Sequence, residues 1–137
     1  MATISAWKCR HPKNPSYLLI ANDPEMESII GALNALILNR LVTRVNTGQG
    51  KNIPVSIIID ELPTLYFLKI DRLIGTARNN KISVALDFQE LPQLEADYGK
   101  VDMQKIITTV GNVVSSSARA KETLEWLSSD IFGKVIQ

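Results

Sequence analysis

Two acidic side chains, Asp60 and Glu61, directly follow the apolar, β-branched run Val55 to Ile59, and Gln89 closes a second such run, Ile82 to Phe88. A carboxylate at the mouth of a buried strand can hold Mg²⁺, usually through water. A second carboxylate beside it can polarise the water that attacks a phosphoryl group. In open α/β sheets ligands bind beyond the carboxyl ends of the strands, so polar residues ending two different strands are weighed together. The competing reading is plain: strands also end in acidic residues because the chain re-enters solvent there.

Other residue types carry less. Cys9 is the only cysteine and His11 the only histidine, too few to close a zinc site without carboxylates or another chain. Tyr66, Phe67 and Tyr98 could stack on bases, but they lack interleaved Lys and Arg, and packing accounts for them. Trp126, between Leu124 and Leu127, reads as a packing residue. A phosphate-binding loop needs Gly, four residues, Gly, Lys and Ser or Thr. Gly48-Gln49-Gly50-Lys51 resembles one superficially, but Val45 stands where the first glycine belongs and Asn52 where the hydroxyl belongs. It also precedes a strand instead of opening a helix, so it reads as a connecting loop. Asp87 adds a carboxylate for which the sequence offers no account.

The elements that must position these groups follow from periodicity and punctuation. Tyr17 to Ala21 reads as a short strand leading into a helix start, with Asn22 or Asp23 as cap and Pro24 in the first turn. Met26, Ile29, Ile30, Leu33, Leu36, Ile37, Leu41 and Val45 recur at helical spacing until Thr47, Gly48 and Gly50 break it, which predicts one long, largely buried helix. Val55 to Ile59 reads as a central parallel strand covered on both faces. A helix over about Asp71 to Asn79 and a strand over Ile82 to Phe88 follow. Next come helices over Glu90 to Tyr98 and Asp102 to Thr109, separated by Gly99. A strand over Asn112 to Ser115 and a helix over roughly Lys121 to Ser128 complete the reading. The alternation of strand and helix implies a three-layer αβα sandwich with a mostly parallel sheet.

Composition bounds the rest. A chain of 137 residues has room for one domain, read here as 1–137 with an irregular stretch over 1–16. Apolar residues at 45% and charged residues at 21% are the balance of a folded globular protein. A net charge of +1 supplies no broad attraction to DNA or to an acidic membrane. The stretch Met26 to Val45 is interrupted by Glu27, Asn34, Asn39, Arg40 and Arg44, which a lipid-spanning helix would bury at high cost. A single cysteine and the lack of a signal-peptide pattern lead to the expectation of a cytoplasmic chain.

The ordered series Ile59-Asp60-Glu61-Leu62-Pro63-Thr64, Ala77-Arg78-Asn79, Phe88-Gln89, Gln93-Leu94 and Tyr98-Gly99 resembles the conjugative coupling proteins of the TraG and TraD kind. These are P-loop ATPases of the FtsK/HerA-like superfamily. Similarity extends from Asn14-Pro15, through Ala21-Asn22-Asp23-Pro24 and Leu33-Asn34-Ala35-Leu36, to Phe132-Gly133-Lys134. The resemblance is to the carboxy-terminal part of the nucleotide-binding domain, the TraM-recognition region, and it implies a partial RecA-like fold without the Walker A segment.

It further implies that Asp60 is the Walker B carboxylate holding Mg²⁺ through water at the ATP site of the complete protein, and that Glu61 activates water. Gln89 would sense the γ-phosphate or link its state to movement. Arg78 would either reach a neighbouring subunit's site as an arginine finger or stabilise a helix carboxyl end in solvent, two readings of equal weight. The parent implied is a hexamer anchored at the cytoplasmic face of the bacterial inner membrane. It couples ATP hydrolysis to transfer of relaxase-bound single-stranded DNA into a type IV secretion channel. Without Walker A, this chain alone is expected to bind neither ATP nor Mg²⁺ tightly and to be inactive. The alternative is a non-catalytic docking module for relaxosome accessory proteins, with Glu90 to Gln137 as its surface. A chromosome-segregation pump, or a phosphoesterase built on Asp60, Glu61 and Asp87, is a third reading and needs features the sequence lacks.

Overall fold

The computed structural model describes residues 3–5, 17–46, 53–65, 67 and 69–132. Cys9, His11, Tyr66, the Gly48 to Lys51 loop, Gly133 and Lys134 lie outside them. The strands are β1 (Thr3–Ser5), β2 (Ile20–Ala21), β3 (Val55–Ile59) and β4 (Ile82–Leu86). The helices are α1 (Glu27–Val45), α2 (Ile70–Ala77), α3 (Leu91–Thr109) and α4 (Lys121–Trp126), the last running into a π-helical turn, Leu127–Ile131.

The four strands form one sheet in the order β2-β1-β3-β4. Only β3 and β4 pair in parallel, with Val55 opposite Ile82 and Ile59 opposite Leu86. β1 is antiparallel to both β2 and β3. The expected mostly parallel sheet is therefore corrected to a mixed one. β2 and β3 do run in the same direction, as their helical connection through α1 requires, but β1 inserts between them. That strand comes from the stretch expected to be irregular, where no apolar run announces it.

The sheet is also covered differently from the expectation. Val55, Ile57 and Ile59 are buried while Ser56 and Ile58 are exposed, so β3 has one core face instead of two. The same open face continues on β4, where Ser83 and Ala85 are exposed and the Ser83 hydroxyl donates to that of Ser56 at 2.8 Å. One apolar cluster joins Leu38, Val42 and Val45 of α1 to Ile57, Ile59, Leu73, Leu94 and Ile106. The described residues thus make helices on one face of a small mixed sheet, and not three layers.

Local chemistry explains the element ends. Asp23 Oδ1 accepts the Glu25 N–H at 3.0 Å and opens the short 3₁₀ turn Pro24–Met26 ahead of α1. Asn34, buried in α1, donates from Nδ2 to the Ala21 carbonyl at 3.0 Å and so fixes the helix to β2. At the other end Asn46 donates to Thr76 Oγ1 at 2.6 Å and accepts from Asn80 Nδ2 at 2.5 Å, tying α1 to α2 and the 3₁₀ turn Arg78–Asn80. Gly99 interrupts α3 with φ 75° and ψ 159°, the break expected between two helices. That conformation is essentially restricted to glycine. The strand expected over Asn112 to Ser115 does not form; the segment runs irregularly, with Val114 exposed.

Candidate functional site

β3 and β4 deliver their carboxyl ends side by side, and the chain beyond them is tied together by backbone bonds. The Asp87 N–H donates to the Ile59 carbonyl at 2.9 Å, and the Leu62 N–H donates to the Asp87 carbonyl at 2.7 Å. Asp87 thereby acquires a structural account: its backbone carries the pairing past the strand ends while its carboxylate faces solvent.

Between these bonds the chain must turn sharply, and Glu61 absorbs the turn with φ 61° and ψ 66°. A left-handed backbone is uncommon for a residue with a long side chain and costs of order 1 kcal/mol. Thr64 holds it in place: its N–H and its hydroxyl both donate to the Glu61 carbonyl, at 3.2 and 2.9 Å. Below, Leu62, Pro63 and Leu65 are buried. The Tyr98 hydroxyl, also buried, accepts the Phe67 N–H at 3.1 Å and donates to the Leu65 carbonyl. Tyr98 and Phe67 are accordingly core residues, as the packing reading of both held, and Tyr98 also anchors the turn to α3.

The turn points the Glu61 carboxylate at two amides. Gln89 Nε2 donates to Glu61 Oε2 at 3.1 Å, and Gln93 Nε2 donates to Glu61 Oε1 at 3.1 Å. An ionised carboxylate only accepts, which fixes both amides as donors. Gln93 lies in the first turn of α3, where the helix amino end favours negative charge. Asp60 is exposed beside this clamp. It offers one oxygen-donor group of the hard type Mg²⁺ prefers, and the rest of a coordination shell would have to come from phosphate, water or another segment. Among the described residues no three His, Cys, Asp or Glu side chains gather as a metal-binding group.

Of the residues singled out from sequence, Asp60, Glu61 and Gln89 come together. Arg78 does not. It is exposed before the amino end of β4, whereas Gln89 follows its carboxyl end. Five strand residues separate the two, about 17 Å at the usual rise. Gln93 is the residue whose role sequence reasoning missed. The available signal was its place in the first turn of a helix starting directly after the strand-end Gln89.

Next to Gln89 lies a cavity of about 250 Å³, with Leu86, Phe88, Ile107, Val110 and Trp126 in its wall. The neighbouring Glu90 ties the start of α3 to the segment before α4: its Oε1 accepts the N–H groups of Arg119 at 2.8 Å and Ala120 at 3.3 Å. The Leu91 N–H donates to Thr123 Oγ1 at 3.0 Å. The Thr123 hydroxyl beside it, then the Arg119 N–H, hold the Glu90 carboxyl below the usual glutamate range.

Fold and site together define a mixed α/β unit with a clamped carboxylate at the carboxyl ends of a parallel strand pair. Residues 54–135, more than half of the chain, match the family model described as the TraM recognition site of TraD and TraG. The chain belongs to this family, as a TraG/TraD-like coupling-protein carboxy-terminal region. Searches of curated proteins and of solved structures returned no match. No helix among the described residues is long and apolar enough to cross a membrane.

Proposed function

We propose that this chain is one wall of the nucleotide site of a conjugative coupling ATPase, the carboxy-terminal part of a RecA-like domain whose Walker A segment lies elsewhere. The observation that carries this reading is the Glu61 clamp: a left-handed glutamate whose carboxylate is gripped by Gln89 and Gln93 at the mouth of a parallel strand pair. Backbone strain retained at such a place is best explained by a task for the side chain. Glu61 would orient and polarise the attacking water, Asp60 would hold Mg²⁺ through water, and Gln89 would link the state of the γ-phosphate to α3. Mg²⁺ and ATP supply charge neutralisation and the transferable phosphoryl group when bound. Arg78, some 17 Å away along β4, could act only on a neighbouring subunit's site, which requires an oligomer such as a hexamer. The open face of β3 and β4 fits a further layer supplied by the rest of such a domain.

In a complete coupling protein carrying this segment, Glu61→Gln should abolish DNA-stimulated ATP hydrolysis while sparing ATP binding. Gln93→Leu should lower kcat about tenfold to a hundredfold with little change in KM, by freeing Glu61. Unchanged turnover in Glu61→Gln sinks the assignment. Export of relaxase-bound single-stranded DNA through a type IV secretion channel is the reaction such hydrolysis would drive.

A second role is favoured by the family match itself: docking of a TraM-type relaxosome accessory protein on residues 54–135. This needs no nucleotide. Capture of that accessory protein by the correctly folded chain supports it, and failure of capture counts against it.

A further inference from the structure

α1 is apolar on two sides. Leu38, Val42 and Val45 enter the core, whereas Met26, Ile29, Leu33 and Leu36 form a second ridge facing outward. Ile29, Leu33 and Leu36 are 66%, 54% and 67% exposed. Spacings of four and three residues put Ile29, Leu33 and Leu36 on one face of the helix, over about 10 Å, and Met26 stands in the 3₁₀ turn just ahead of them. Apolar residues scattered singly on a surface are ordinary, but a continuous ridge of this kind marks a contact surface, and a helix apolar on both sides is one that is covered on both.

Charge identifies the cover. Asp23 and Glu25 are exposed just before the amino end of the ridge, and Arg40 and Arg44 are exposed at its carboxyl end. A ridge with acid at one end and base at the other complements itself only when two copies run antiparallel. With the copies crossing between Ala32 and Leu33, Ile29 faces Leu36 of the second copy and Glu25 comes level with its Arg40. Parallel pairing would set like charges together. We propose that the outer face of α1 is a twofold contact between two copies of this chain, with an apolar centre and a rim of unlike charges. The contact is independent of the Glu61 site and of any nucleotide.

Analytical ultracentrifugation of the chain from low to high micromolar concentration tests it, with circular dichroism as the check on folding. The unsubstituted chain should dimerise. Leu33→Asp should weaken the dimer at least about tenfold. Glu25→Lys should weaken it about two- to fivefold, and Glu25→Lys combined with Arg40→Glu should restore it. Leu33→Cys in a Cys9→Ser background should crosslink two chains on oxidation, a readout that holds even where Leu33→Asp fails to fold. A chain that stays monomeric throughout overturns the proposal and leaves the ridge to another segment or another protein. A dimer indifferent to Leu33→Asp, a charge swap without rescue, or absence of the crosslink also overturns it.

Discussion

Replacing Glu61 by glycine and, separately, by alanine separates the strain in its backbone from the contacts of its side chain. Both variants lose the bonds from Gln89 and Gln93, so that loss cancels in the comparison. What differs is the backbone at φ 61° and ψ 66°. A residue with a Cβ pays about 1–2 kcal/mol to sit there, and glycine pays almost nothing. Against this, glycine loses about 0.4–1 kcal/mol more conformational entropy on folding. The net expectation is that Glu61→Gly is more stable than Glu61→Ala by about 1 kcal/mol, the reverse of the usual order inside an ordered element. With urea m-values of about 1–3 kcal/mol/M, the midpoints should differ by roughly 0.5 M. Equilibrium unfolding followed by circular dichroism measures this directly. An alanine variant as stable as the glycine one would show that position 61 is not left-handed, and would remove the strain argument from the proposed site.

Gly99→Ala should cost about 1–3 kcal/mol in the same urea assay, because its backbone is in a region reserved for glycine while the space around a new Cβ is empty. A cost near zero would mean that the break in α3 is not there. Tyr98→Phe strips the hydroxyl from the Phe67 N–H and the Leu65 carbonyl, and should cost about 1–3 kcal/mol. Amide exchange at Phe67 should accelerate with it. Glu90→Gln tests linkage: the folded carboxyl titrates below its unfolded value, so its stabilisation is present at neutral pH and is lost as pH falls through the folded pKa. The gap in urea midpoint between the unsubstituted chain and Glu90→Gln should therefore be steady near pH 7 and close on acidification below about pH 4. A gap indifferent to pH would refute the part assigned to the Arg119 and Ala120 N–H groups.

Apolar spacing and local punctuation in the sequence determined most elements, since both act within a few residues. The helix ending at Val45, the strands ending at Asp60 and near Gln89, and the interruption at Gly99 were all legible in this way, whereas Asp23 and Pro24 open a 3₁₀ turn ahead of the helix and the face carrying Ile29, Leu33 and Leu36 is exposed instead of buried. The meeting of Asp60, Glu61 and Gln89 was legible too, because strands linked through a helix bring their carboxyl ends to one side. Strand pairing, by contrast, is a contact between distant segments. The insertion of β1, the single core face of β3 and the failure of Asn112 to Ser115 to join the sheet depend on which edges are free once the helices have packed. Site geometry is long-range in the same sense. Gln93 became a partner of Glu61 only when α3 folded back over the strand ends, and Arg78 was separated from both by the length of β4. The carboxylate pair was written in the chain; the left-handed turn and the two amides that aim it were decided by the fold.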